Sequence, residues 1–202
     1  PKEASFVVKD YEEFTLQSAT SIAERFGRDL NHISRVSSVA LEIYDKMKKL
    51  HGYKLRERTL LQVSAILQDI GKYVNVKNHA LLSYNTITNL DIVGINDHER
   101  LIIATVCYYH NGNIPSMDSP IYNQLSQEDR VMVSKLAAIL QISNAINTSH
   151  SPKFEQVNVN MKNGKLNIYL TTLKNINLEK WAFIAKSKLF REVYGLNATI
   201  IK

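Results

Sequence analysis

The hydrophobic period of this 202-residue chain changes at Pro152, and the change divides it into two kinds of structure. Before that point apolar residues recur every three or four positions, the period of a helix with one buried face. After it they alternate with polar residues, the period of a half-buried strand. The clearest helical stripe lies in residues 32–50: Val36, Val39, Ala40, Ile43, Met47 and Leu50. Further helices are predicted over 18–26, closed by Gly27, and over 56–70, a central helix with little polar surface stopped by Gly71. Two more cover 79–90 and 97–109, and a long one runs from the capping residues 126–129 to about Asn147. Pro115 and Pro120 assign 113–125 to a loop.

Past Pro152, Val157, Val159 and Met161 alternate with Asn158, Asn160 and Lys162. Asn163-Gly164 is a hairpin turn, and Leu166, Ile168 and Leu170 continue the alternation. A helix with Trp181, Ile184, Ala185, Lys188, Leu189 and Val193 on its packed side ends at Gly195, and a strand at 198–201 returns to the hairpin. The expected fold class is mainly α: an all-helical domain over 1–150, then a small α+β (ββαβ) subdomain over 151–202.

No apolar run is long enough to cross a membrane, and the first residues lack a signal-peptide pattern. With no initiating Met, the chain reads as a fragment or a processed form. The lone Cys107 excludes an internal disulfide, lies in an apolar run and reads as a buried small hydrophobe. A reducing, cytoplasmic location is expected, with no membrane partner. Scattered glycines exclude a phosphate-cradling loop, and no Gly-x-Ser-x-Gly elbow occurs. The net charge of +6 favours polyanions as partners. Basic residues gather at Lys46–Arg58 and again at Lys180, Lys186, Lys188 and Arg191, without the strand-borne aromatics of an RNA-binding sheet.

The residues able to carry chemistry fall in a definite order: His32, the pair Gln68-Asp69, His110 and Asn144. The order resembles that of HD-domain phosphohydrolases, whose pattern is a His, a His-Asp pair and a distant Asp. In working members these groups hold a divalent metal that lowers the pKa of bound water. Here Gln68 and Asn144 are amides, and so is Asn147, where a second Asp commonly follows. Amides supply neither imidazole nor anionic oxygen, so the site reads as vestigial, with no metal and no catalytic residue expected. Asp69 then needs another partner: His32 first, Lys72 or Arg35 next. His79 and His110 sit where some such enzymes place extra ligands or phosphate contacts. His51, His98 and His150 read as surface or helix-end residues.

A longer series agrees: Leu50-His51-Gly52, Leu67-Gln68-Asp69-Ile70-Gly71, Asn78-His79-Ala80-Leu81-Leu82-Ser83-Tyr84, Leu125-Ser126-Gln127-Glu128-Asp129-Arg130, Leu136-Ala137-Ala138-Ile139-Leu140 and Lys188-Leu189-Phe190-Arg191-Glu192-Val193-Tyr194-Gly195. It resembles the C-terminal half of the Ppx/GppA exopolyphosphatases and guanosine pentaphosphate phosphohydrolases, from about Ser18 to the end. The resemblance implies an HD-domain-like helical bundle that packs against an N-terminal actin-like catalytic domain and helps to bind polyphosphate, often at a homodimer interface.

The expected function is therefore a non-catalytic domain that contributes to dimerisation and binds polyphosphate or a phosphorylated guanine nucleotide. Arg25, Arg28, Arg35, Lys72, Lys77, His79 and His110 are the candidate phosphate contacts. No cofactor is expected in this chain. Magnesium (Mg) or manganese (Mn) enters in a full-length protein, or under the alternative of a metal-dependent phosphohydrolase using His32, Asp69, His79 and His110. A pure dimerisation scaffold is the other alternative.

Overall fold

A computed structural model describes residues 2–202, with side chains from Tyr11 onward. It is mainly α with one small sheet, as the two periods require. The helices are α1 (Lys2–Arg25), α2 (Leu30–Lys46), α3 (Lys48–His51), α4 (Leu55–Leu67), α5 (His79–Ile87), α6 (Asp97–Tyr109), α7 (Pro120–Asn123), α8 (Gln127–Ile146) and α9 (Asn177–Tyr194). A 3-10 turn, Ile70–Tyr73, lies between α4 and α5. The strands are β1 (Gln156–Lys162), β2 (Lys165–Thr171) and β3 (Asn197–Ile201). β2 is the central strand, antiparallel to β1 and parallel to β3, so α9 is the crossover of a β–α–β unit.

Several sequence expectations need correction. The stripe over 32–50 is broken at Met47, where φ is −94° and ψ is 8°, and a separate turn, α3, ends on left-handed Gly52. His51 is buried rather than superficial: Nε2 bonds the Tyr44 carbonyl at 2.9 Å and Nδ1 accepts the Tyr53 N–H. The loop expected over 113–125 contains α7, because Pro120 occupies its first turn, where the missing N–H has no helical partner to lose. Gly71 does not stop a helix but lies inside the 3-10 turn. On α9 the packed side is Ala182, Phe183, Leu189 and Phe190, while Trp181 and Ile184 are exposed.

One hydrophobic core runs from α1 through α8 to the sheet, including Ala19, Ile43, Leu61, Val106, Leu140, Ile168 and Phe190. It crosses residue 150 without interruption, because α9 lies along α8 and β1 packs on α2.

A two-pronged ion pair ties α4 to α6. Arg56 Nε and Nη2 meet the two carboxylate oxygens of Glu99 at 2.6 and 2.5 Å, and Nη2 also donates to the Gly94 carbonyl. The same carboxylate accepts the Asn96 N–H, completing the capping box of α6. Burial works to raise the Glu99 pKa, but the Arg56 and Asn96 bonds outweigh it and hold it below 4.5. This stabilisation is fully present above pH 4.5 and fades as acid approaches the depressed folded value. Glu99→Gln is expected to cost about 1–2 kcal/mol at pH 7. Urea titrations should show that loss shrinking below pH 4; an unchanged gap would refute the assignment.

Candidate functional site

The chemistry-bearing residues meet where α4 ends. Leu67 closes α4, Gln68 keeps helical angles, and Asp69 bends away at φ −109° and ψ 8° into the 3-10 turn. Ser83 of α5 clasps this bend: its hydroxyl donates to the Gln68 carbonyl at 2.8 Å and accepts the Gly71 N–H at 2.9 Å. The clasp sets the first turn of α5, and with it His79, against Asp69. His110, just past the end of α6, reaches the same carboxylate.

Asp69 is buried, and its partners are not those expected first. Lys72 Nζ donates to Oδ2 at 2.7 Å. His110 Nε2 stands 3.2 Å and His79 Nε2 3.5 Å from Oδ1, and the two Nε2 atoms are 3.3 Å apart. Burial alone would raise the Asp69 pKa, but His110 and Lys72 hold the group well below the usual carboxylate range. Burial and the neighbouring His110 lower the pKa of His79. Each ring is anchored through Nδ1, His79 to the Val76 carbonyl at 2.7 Å and His110 to that of Cys107 at 2.5 Å. Cys107 is buried as expected, its thiol donating to the Ser64 carbonyl.

His32 is not bonded to Asp69. Its ring stacks on His150 at 4.0 Å between centroids, and neither of its buried nitrogens has a hydrogen-bond partner. Burial and the charge of His150 push its pKa down to about 4, so the ring is neutral at pH 7. Both amide atoms of Gln68 are likewise buried and unpartnered, as is Asn147 Oδ1.

Arg28, Asp29, His32, Gln68, Asp69, Lys72 and His150 line a cavity of about 160 Å³, so two cations and two carboxylates share its wall. Arg28 donates to the Phe26 carbonyl and, at 3.4 Å, to that of Asp69. Arg35 lies one turn along α2 and donates to the His150 carbonyl at 3.3 Å. Asn144, half-buried near the end of α8, does not line the cavity; Arg25 and Lys77 are exposed. Two participants escaped sequence reasoning. His150 reaches His32 only because residues after α8 fold back over α2. Lys186 extends from α9 to within electrostatic range of Asp69, its pKa lowered by burial while Asp69 works in the opposite direction. No spacing in the sequence announces either contact.

A divalent cation does not fit the four positions of the HD-like order. Two are amides, Asn144 stands apart from the cavity, and the Lys72 ammonium already lies on the Asp69 carboxylate. What the fold defines is a mainly helical chain with a small polar cavity and a β–α–β unit. The family model for Ppx/GppA phosphatase, domain III, matches residues 16–189, and the chain belongs to that family. Among the described residues, no helix is long and apolar enough to cross a membrane.

Proposed function

We propose that this chain is a non-catalytic domain of a Ppx/GppA protein that binds polyphosphate or a phosphorylated guanine nucleotide alongside an actin-like catalytic domain. The observation that carries the reading is the cavity lined by Arg28, Lys72 and the neutral ring of His32, whose two carboxylates are already engaged, Asp29 by the first N–H groups of α2 and Asp69 by Lys72. A phosphate oxygen there accepts charge-assisted bonds from Arg28 and Lys72. Arg35, Arg25 and Lys77 extend the positive surface that a longer polyanion would follow. Dimerisation belongs to the same reading, and the exposed Leu178, Trp181 and Ile184 of α9 are the apolar surface that supports it.

Calorimetric titration of the full chain with long-chain polyphosphate, in the presence of a chelator, tests the reading. Affinity should fall steeply as salt rises. Arg28→Gln should weaken binding about 5- to 10-fold and reduce the log–log salt slope by about one, and Lys72→Gln should do the same. Salt-independent affinity, or affinity unchanged in both variants, would overturn it.

A further inference from the structure

We propose that the open face of the three-stranded sheet is a binding platform for a short single-stranded segment of nucleic acid. The platform lies on β1, β2 and β3, apart from the cavity that Arg28 and Lys72 line, and it does not depend on the polyanion reading.

The two faces of the sheet differ because strand side chains alternate. Val159, Leu166, Ile168 and Leu170 point into the core and are buried. The intervening positions of all three strands are open to solvent, with Asn167 half-buried among them. No outward position carries a carboxylate. Amides, hydroxyls and two lysines make up this face, and Tyr169 and Ile201 are its apolar members.

The strand register sets these groups in rows. Tyr169 stands on the central strand between Asn158 of β1 and Ile201 of β3, and it remains 38% exposed. An aromatic ring fixed in the middle of a sheet is a stacking surface for an unpaired base. The next row is Asn160, Asn167 and Thr199. Thr199 Oγ1 donates to Asn167 Oδ1 at 3.0 Å, which orients that amide and leaves its N–H groups to an outside acceptor. Carboxamides carry donor and acceptor together, the combination that base edges present.

Lys162 and Lys165 close the face at the hairpin turn, directly opposite each other. Like charges so placed repel, and the face holds no carboxylate to offset them. A phosphate laid between them removes the repulsion. Neither lysine belongs to the basic clusters legible in the sequence, and only the register brings them to one end of a row of amides and a ring. Successive rows on one face lie about 7 Å apart, so the platform holds about two to three nucleotides.

Other occupants use only part of this face. Inorganic polyphosphate would engage the lysines and leave the ring and the amides unused. A neutral sugar would use the ring and the amides but offers no charge to the lysines. A protein partner needs a dry apolar centre, which Tyr169 and Ile201 are too small to form. A duplex hides its base faces from Tyr169.

The test follows the fluorescence anisotropy of labelled single strands of about ten nucleotides, RNA and DNA, titrated with the full chain. Expected is binding to single strands over a duplex of the same length, with a log–log salt slope of about −1 to −2 for two phosphate contacts. Tyr169→Ala should weaken binding about 10-fold and Tyr169→Phe should retain it. Lys162→Gln with Lys165→Gln should bring the salt slope close to zero. Lys48→Gln, an exposed lysine of α3, should leave binding unchanged. If Tyr169→Ala fails to fold by circular dichroism, Tyr169→Leu, which keeps an apolar strand residue without the ring, takes its place. No binding to single strands, duplex binding as tight as single-strand binding, or displacement by polyphosphate of equal charge with the Tyr169 variants unaffected would overturn the proposal.

Discussion

Gly71→Ala is expected to cost about 3 kcal/mol, the upper end of what overpacking does in a close-packed interior. A Cβ at this position would lie 2.2 Å from the His79 carbonyl oxygen, 2.5 Å from the Ser83 nitrogen and 2.8 Å from the Leu82 Cβ. Two of these neighbours are main-chain atoms of α5, which no rotamer change can move aside. Gly71 itself has an ordinary negative φ, so the cost is steric, arising where the 3-10 turn and α5 touch backbone to backbone. Relief requires the turn and α5 to separate, which breaks the Ser83 clasp and draws Asp69 away from His79. The variant should therefore lose stability in urea unfolding and weaken ligand binding at Asp69 even where it remains folded. Gly52→Ala provides the contrast: nothing lies within 4 Å of its Cβ, and only its φ of +73° makes alanine unfavourable. Its expected cost is about 1–2 kcal/mol with no effect on the Asp69 corner. Equal stability of Gly71→Ala and the parent chain would show that the approach of α5 is looser than these distances.

Helix positions, the hairpin and the mainly-α class were legible because each rests on local periodicity or on one turn dipeptide. Contacts that depend on how helices meet were not. Gly71 looked like punctuation, since a glycine that ends a helix and one that lets two backbones touch are identical in sequence. The packed side of α9 was misassigned because Trp181 and Ile184 are apolar at helical spacing, and only the position of α8 decides that Phe183 and Phe190 face inward. His51 shows the same limit from the polar side. Its neighbours in sequence suggest a helix end at the surface, whereas Tyr44 and Tyr53 close over it from either side. At the candidate site, Gln68-Asp69 and His32 stood out by motif, and the cavity does gather them. His79 and His110 were singled out individually, but no pattern could show that residues 10 and 41 positions beyond Asp69 turn their Nε2 atoms toward one oxygen.

Phe190→Ala is expected to destabilise the chain by about 3–5 kcal/mol, the usual cost of removing a fully buried aromatic ring. Phe190 lies on the packed side of α9, its ring 4.9 Å from that of Tyr194, whose hydroxyl donates to the Lys135 carbonyl on α8. In the same core lie Leu166 and Ile168 of β2, both without solvent exposure. The ring thus belongs to the seam between the segment before residue 150 and the segment after it, and its loss tests whether that division is thermodynamic. Two independent domains would place the whole loss in residues 151–202, leaving hydrogen exchange in α4 and α6 as slow as in the parent. A core continuous from Ile43 to Phe190 predicts otherwise: exchange in β2, α8 and α4 should accelerate together, because none of these elements buries its apolar face alone. The site should register the change as well. Lys186 is held near Asp69 only by the seating of α9, so loosening the seam removes a positive charge from the cavity's surroundings. Phosphate affinity should then fall in the variant while it is still folded, and acceleration confined to 151–202 with affinity intact would establish two units instead of one.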